Sequence, residues 1–306
     1  MIVIFGGTGT LGHALSEVIR ENTSHPVTII SRCELRQKEM RAKFPDFNYV
    51  IGDVTNTDWQ DHLLDKPSSV FNLAAMKHVD MGEHNVRRCV DINYGGTVNT
   101  YDWAFKNRAN SYVLSSTDKA VLPINAYGMS KGMAEKYLYE RQAIGTSLST
   151  AIFRWGNVLG SRGSVFHALA RTLLEEQTAY LTHKDMSRFW IHIKDVARFM
   201  WEKKNTPTPE QPHIPKMKAA SLLRMTEAVA DVLGISDYRI EYTGIRDGEK
   251  IHECLYTSHD YCLTSDKCDQ FTDKELISLV KEVLDDSAAR KQGRDGQALQ
   301  RDIRLS

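Results

Sequence analysis

Met1-Ile-Val-Ile-Phe5 runs directly into Gly6-Gly-Thr-Gly9-Thr-Leu-Gly12. A short apolar run of this kind reads as a buried parallel strand. Glycines at 6, 9 and 12 permit a tight turn, a close approach of backbone to a pyrophosphate, and close packing of a helix on a sheet. The helical pattern Leu11, Ala14, Leu15, Val18, Ile19 follows at once. Its N-terminus offers amide donors and a favourable dipole to phosphates. A purely structural glycine turn is the bland alternative, and the strand–glycine–helix order disfavours it.

Working outward, strand and helix patterns alternate through Trp155. Strands are expected near 2–5, 27–31, 48–51, 69–72, 111–115 and 150–155, with helical stretches at Glu83–Lys106 and Ala126–Gln142. This rhythm implies an α/β fold: a Rossmann-type doubly wound parallel sheet with ligands at the carboxyl ends of its strands. After Gly160 the pattern becomes irregular. Thr206-Pro-Thr-Pro-Glu-Gln-Pro-His-Ile-Pro215 reads as a surface connector. Helices are expected at Leu222–Leu233 and Asp273–Leu284, and the charged tail from Asp285 reads as disordered or as reaching another subunit. The expected division is a dinucleotide-binding domain over 1–160, with a return segment near 183–205. Residues 161–306 would form mainly a smaller α/β substrate-binding lobe and the tail.

Composition narrows the classes. The 306 residues are 42% hydrophobic and 25% charged, enough for one large core and a second lobe. Lys+Arg and Asp+Glu both total 39, so no basic field attracts nucleic acid or an anionic membrane. No apolar run approaches the roughly 18–20 residues of a membrane span. With the first strand starting at Met1, no signal peptide is expected, and a cytoplasmic location follows. The cysteines, Cys33, Cys89, Cys254, Cys262 and Cys268, are odd in number and lack CxxC spacing. They read as reduced thiols rather than a disulfide frame or zinc site, and no metal site is expected.

Two stretches carry chemistry. The second strand ends in Ser31-Arg32, where a carboxylate would hold the ribose hydroxyls of NAD; a hydroxyl and a guanidinium suit the 2′-phosphate of NADP. Glu34 stands close enough to keep NAD as the alternative. Asp53-Val54 ends the third strand, where a carboxylate can meet the adenine amino group, though an aspartate there can also simply form a turn. Asn72-Leu-Ala-Ala75 ends the fourth, and its small side chains allow close approach. Ser115-Ser-Thr-Asp-Lys119 is followed by Tyr127-Gly-Met-Ser-Lys131. A tyrosine four residues before a lysine shares one helix face with it. There a buried ammonium can hold the phenol as phenolate, a usable base. Asp118 and Lys119 supply a second acid/base pair, so chemistry beyond simple hydride transfer is expected.

With these residues the chain resembles an extended short-chain dehydrogenase/reductase, and within that group the inverting UDP-N-acetylglucosamine 4,6-dehydratases. The resemblance rests on Gly6–Gly9, Ser31–Leu35, Ala74-Ala-Met-Lys-His-Val79 and Ser116-Thr-Asp-Lys-Ala120. It continues in Arg154-Trp-Gly-Asn-Val-Leu-Gly-Ser-Arg-Gly-Ser164, Met186-Ser-Arg-Phe-Trp190 and Gly244-Ile-Arg-Asp-Gly-Glu-Lys250, and fades at 200–220 and after about 270. It implies that Gly6, Thr8, Gly9, Thr10, Leu11, Gly12, Ser31, Arg32, Arg36, Asp53, Val54, Ala74 and Val158 contact NADP. Tyr127 and Lys131 would flank the nicotinamide. Lys119 would be the special catalytic base, acting with Asp118 and Thr117. Lys77, Thr117, Asn157, Arg162, Arg188, Arg246 and Glu249 would touch a UDP-sugar, and soluble relatives are homo-oligomers. Many large membrane-anchored relatives carry methionine where Tyr127 stands. Two other readings stay open: a UDP-sugar 4-epimerase on the same scaffold, and a non-catalytic NADP-binding sensor or scaffold protein. The second tends to lose the Tyr/Lys pair that is intact here.

Overall fold

Each of the six N-terminal apolar runs forms a strand in the computed structural model, which describes residues 1–63, 65–161, 163–258 and 261–292. In chain order the first elements are β1 (Ile2–Phe5), α1 (Thr10–Asn22), β2 (Val27–Ser31), α2 (Glu34–Lys43), β3 (Asn48–Ile51) and β4 (Ser69–Asn72). They are followed by α3 (Val79–His84), α4 (Val86–Val90), α5 (Gly96–Lys106), β5 (Ser111–Ser115), α6 (Ala126–Ala143) and β6 (Ser149–Phe153). The strands pair in parallel in the order β3-β2-β1-β4-β5-β6. This is the doubly wound arrangement, and its order reverses between β1 and β4, where such sheets bind ligands.

The chain then builds β7 (Asn157–Leu159), α7 (Val165–Glu176), β8 (Thr178–Leu181), β9 (Ser187–His192), α8 (Ile193–Lys203), β10 (Lys218–Ser221) and α9 (Leu222–Leu233). It ends in β11 (Arg239–Tyr242), β12 (Cys254–Thr257), β13 (Cys262–Thr264) and α10 (Asp273–Gln292). Two compact units result. One holds Met1–Trp155 and Lys194–Pro215; the other holds Gly156–Ile193 and Lys216–Ser306. Among the described residues no helix is long and apolar enough to cross a membrane.

The first unit's core forms where Phe5, Trp59 and Trp103 meet edge to face, with centroids of successive pairs at 4.7 and 5.6 Å. Burying side chains of this size contributes roughly 1.5–3 kcal/mol each. On α1 the expected stripe is buried at Ala14, Leu15, Val18 and Ile19. The second unit packs α7, α9 and α10 around Trp190, Leu173, Met225 and Val280. Its sheets are the three-stranded β10-β9-β7 and the pairs β11-β8 and β12-β13.

Four expectations need correction. The single helix expected over Glu83–Lys106 is broken at Asn85 (φ −137°), whose amide turns back onto the Met81 carbonyl at 3.0 Å. It widens into a π-helical turn at Asp91–Gly95 before α5. The proline-rich connector is not a free surface loop. Thr208 and His213 donate their backbone N–H groups to the Thr150 and Ile152 carbonyls at 2.9 and 2.8 Å, and Arg154 N–H donates to the His213 carbonyl at 3.0 Å, so the segment lies along the outer edge of β6. The first part of the tail, 285–292, continues α10 past Leu284, and 293–306 lie outside the described residues. Cys254 and Cys262 are joined in a disulfide beside the β12–β13 pairing, leaving Cys33, Cys89 and Cys268 as thiols.

Candidate active site

The turn after β1 is built for close approach. Gly6 has φ +72°, and a Cβ on it would lie 2.7 Å from the Ala74 amide nitrogen, so the ends of β1 and β4 meet there. A Cβ on Gly12 would lie 2.0 Å from the Gly7 carbonyl oxygen, so α1 packs directly on the turn. Gly9 caps α1 without any side-chain hydrogen bond to the first-turn amides. Thr8 is buried, while Thr10 and Leu11 are partly exposed at the helix start.

At the ends of β2 and β3 the structure adds two residues that pattern reading missed. Gln37, buried on α2, donates its amide to Ser31 Oγ at 3.1 Å, the Ser31 carbonyl at 3.0 Å and the Val50 carbonyl at 2.7 Å. Arg88, on α4, donates to Asp53 Oδ2 at 2.7 Å, and Arg32 lies 3.7 Å from the same oxygen. Burial pushes the Asp53 carboxyl up, but hydrogen bonds from Thr55 and the Arg88 guanidinium outweigh it and hold the group below its ordinary range. Arg36 is exposed on α2, Val54 is buried, and the Ala74 amide donates to Asn72 Oδ1 at 3.2 Å.

The chemistry-bearing residues gather where β5 meets α6. Ser116 and Asp118 donate their N–H groups to the Phe153 and Trp155 carbonyls at 2.6 and 2.9 Å, anchoring a 3₁₀ turn at Asp118–Ala120. Against it lies the start of α6, capped by Asn125, whose side chain accepts from the Gly128 N–H at 2.7 Å. The Ala126 N–H donates to the Glu83 carboxylate at 2.6 Å. Thr117, Asp118 and Lys119 form a polar line beside the Tyr127 phenol. Thr117 Oγ1 donates to Asp118 Oδ1 at 3.0 Å, and Lys119 Nζ donates to that same oxygen at 3.1 Å. Asp118 is fully buried, whereas the Lys119 side chain keeps 20% of its surface.

Burial pushes the Tyr127 phenol up to about 12, against the pull of Thr117 and Lys119. Burial also pushes Lys131 down to about 8, opposed by the charges of Glu135 and Cys89. Lys131 Nζ is buried without a hydrogen-bond partner. Asn93, on the π-helical turn, accepts from the Met76 N–H at 2.9 Å and donates to Ser130 Oγ at 2.9 Å, tying the segment after β4 to the residue before Lys131. Nothing in its sequence neighbourhood signals that bridge. Lys77 is exposed.

The second unit carries the remaining expected sugar contacts. Arg188, on β9, is buried; it donates to the Ser187 and Ile251 carbonyls at 2.7 and 3.0 Å, with Nε 3.9 Å from Glu253 Oε1. Arg246 is exposed and Glu249 half-buried in one turn, closed by the Glu249 N–H donating to the Arg246 carbonyl at 3.1 Å. Asn157 and Val158 sit on β7 opposite Trp190 and Ile191 of β9. Arg162 lies outside the described residues. His192, Glu282 and Asp286 bring ligand-type atoms within 4.8 Å of one another, a grouping that sequence spacing does not reveal.

A doubly wound sheet with a Tyr-x-x-x-Lys helix beside a Thr-Asp-Lys turn is the framework of an enzyme of the short-chain dehydrogenase/reductase superfamily. Residues 2–275 match the family described as polysaccharide biosynthesis protein, and the chain belongs to it. It is 34% identical over 269 residues to a UDP-N-acetylglucosamine 4,6-dehydratase (inverting) of Campylobacter jejuni, spanning 86% of this chain and 79% of that protein. To a UDP-glucose 4-epimerase of Rickettsia canadensis it is 31% identical over 278 residues, 88% of this chain and 81% of that one. Among solved structures, Pen from Bacillus thuringiensis matches with a TM-score of 0.84 at 29% identity, covering 92% of this chain and 97% of that chain. The dTDP-glucose 4,6-dehydratase DesIV from Streptomyces venezuelae shares the fold, with a TM-score of 0.75 at 16% identity over 94% of this chain and 98% of that chain.

Proposed function

We propose that the protein is an NADP-dependent, C-5-inverting UDP-N-acetylglucosamine 4,6-dehydratase, a lyase on a dehydrogenase scaffold. The observation that carries this reading is the hydrogen-bonded line Thr117–Asp118–Lys119 on the turn packed against the start of α6, which bears Tyr127; an oxidation base would thus stand beside an elimination pair. A dinucleotide suits the residues present: Gly9 caps α1 with no side chain of its own, and the buried Lys131 side chain lacks a hydrogen-bond partner. Gly6 to Gly12, Ser31, Arg32 and Asp53 would hold it. When bound, NADP supplies the hydride acceptor for C-4 of the sugar and the donor for C-6.

The chain's own groups do the rest. Tyr127 takes the proton of the sugar 4-hydroxyl, relayed by Thr117. The resulting 4-keto group acidifies C-5, and Lys119 removes that proton. For this the proton shared by the Lys119–Asp118 pair rests on Asp118, which leaves Lys119 an amine free to take the C-5 proton, and Asp118 delivers its proton to the departing 6-hydroxyl. Reprotonation of C-5 from the other face inverts the centre. Arg188, Arg246, Asn157 and Glu249 are assigned to the UDP-sugar.

Incubation of the pure protein with UDP-N-acetylglucosamine followed by mass spectrometry tests the reading. Loss of one water supports it; unchanged mass with a new isomer moves the assignment to the 4-epimerase. That second reading draws on the epimerase relative, since epimerisation needs Tyr127 but stops at the 4-keto stage.

The cofactor assignment has its own test. Arg32→Asp should weaken NADP binding by roughly 10–100-fold, the loss of one charge-assisted hydrogen bond, and NAD far less. Tighter binding of NAD than NADP by the wild type overturns the assignment of this strand end. A homo-oligomer is also proposed. Light scattering should show more than the 34.8 kDa monomer at micromolar concentration, and a monomer throughout removes the proposal.

A further inference from the structure

Beneath the catalytic turn lies a buried ionic cluster that the reaction itself does not use. Arg154, just past β6, donates from its NH2 and Nε nitrogens to the two oxygens of Glu135 at 2.5 and 3.3 Å. Ser116 Oγ donates to Glu135 Oε1. All three residues are buried. Such a cluster is expensive to desolvate and is a weak source of net stability, so a role besides stability is reasonable to seek. Its members stand at telling positions. Ser116 directly precedes Thr117 and Asp118. Glu135 follows Lys131 by four residues on α6, one turn further along the same face.

We propose that Glu135 is a positioning residue that keeps the buried Lys131 side chain in its ammonium form, while Arg154 and Ser116 fix the Glu135 carboxylate. The proposal deepens the assignment of Tyr127 and Lys131 as the oxidation pair, and rests on that reading. Lys131 Nζ has no hydrogen-bond partner, so only through-space charge compensates its burial. The charged groups acting on it are few. Glu135 comes from α6 itself and the Cys89 thiol from α4, while Lys119 and Asp118, on the turn packed against α6, bear on Tyr127. Burial is the larger influence and pushes Lys131 down; Glu135 is the first group opposing it. The reach of that charge is also visible one turn on, where Glu135 helps burial raise the Tyr139 phenol. Arg154, tied to the end of β6, fixes the carboxylate in orientation through its paired hydrogen bonds.

The sign follows. A group whose folded value lies below its ordinary one loses its proton early as pH rises, so Lys131 is an ammonium below about 8 and an amine above it. Removing the Glu135 charge extends the amine form to lower pH.

The test is an NMR titration of Lys131 in lysine-labelled protein, assigned by loss of the signal in Lys131→Met. It needs neither cofactor nor turnover, so a failure of the dehydratase reading leaves it decisive. Glu135→Gln, which keeps acceptor and donor atoms for its neighbours, should move the Lys131 titration down by about one unit, the scale of a single nearby opposite charge. In an active enzyme the alkaline limb of the pH–rate profile for C-4 oxidation should move by the same amount. Glu135→Ala, which also removes the charge, should shift it in the same direction and serves if the glutamine variant does not fold. A role in packing alone would lower the melting temperature and leave the titration in place. An unchanged Lys131 titration in folded Glu135→Gln or Glu135→Ala overturns the proposal.

Discussion

Tyr127→Phe slows oxidation at C-4 by an expected 10²–10⁴-fold, on the order of the loss of a general base, and every later step slows with it. Lys119→Met behaves differently. On the proposed mechanism oxidation uses Tyr127 whereas elimination needs a base at C-5, the role given to Lys119, whose Nζ bonds Asp118 Oδ1. The variant should accumulate 4-keto sugar with reduced cofactor and form little dehydrated product. Asp118→Asn should likewise impair elimination more than oxidation, because an amide cannot hand a proton to the leaving hydroxyl. Mass spectrometry in heavy water reads all three variants, since C-5 takes up solvent deuterium only if it is deprotonated. A Lys119→Met enzyme that dehydrates at the wild-type rate with deuterium at C-5 would assign the base to another residue.

Gly128→Ala should abolish activity and destabilise the fold by a few kcal/mol, the reverse of the effect of alanine in an ordinary helix. Replacing a helical glycine by alanine usually stabilises by roughly 0.5–1 kcal/mol. Here the added Cβ would stand 2.1 Å from the Lys119 carbonyl oxygen and 2.9 Å from its carbon, both backbone atoms that cannot swing aside. Either α6 lifts away or the Thr117–Ala120 turn is displaced; both pull Tyr127 and Lys119 out of register. Gly95 is the internal control: nothing lies within 4 Å of a Cβ built there, so Gly95→Ala should be neutral or mildly stabilising. Thermal melts of the two variants check the contrast. Equal melting temperatures for Gly128→Ala and wild type would remove the close-packing argument.

The parallel sheet was legible because its central strands β1, β2 and β4 are short, wholly buried runs, and every strand, including the exposed edge strand β3, stands within a residue or two of its expected place. The N-terminus of α1 was legible for a local reason too, since the glycine spacing acts within one turn, whereas the Asn125 cap of α6 went unread. Breaks and contacts made over long separations were not. Nothing in the composition of 83–106 announces that Asn85 folds its side chain back on Met81, or that the backbone widens to place Asn93 inside. The catalytic line was readable since Thr117 to Lys131 lie within fifteen residues of sequence. Gln37, Arg88 and Glu135 escaped notice, and Arg154 was read only as part of a motif, because each acts through a partner that only tertiary packing supplies. The disulfide between Cys254 and Cys262 was missed by counting an odd total of cysteines, which says nothing about any one pair.

The segment along β6 has a bearing on synthesis. A chain emerging from the ribosome completes β6 at Phe153, yet the groups that cover this edge, Thr208 and His213, follow more than fifty residues later. In the interval the nascent sheet presents an unprotected strand, the sort of template on which neighbouring chains aggregate. The whole of the second unit's first portion is translated within that window. The final seal is a strip rich in proline, which can donate few backbone hydrogen bonds and is therefore poor at recruiting a further strand. Fragments cut for expression just after the sixth strand would keep every glycine of the opening turn and still carry a sticky border.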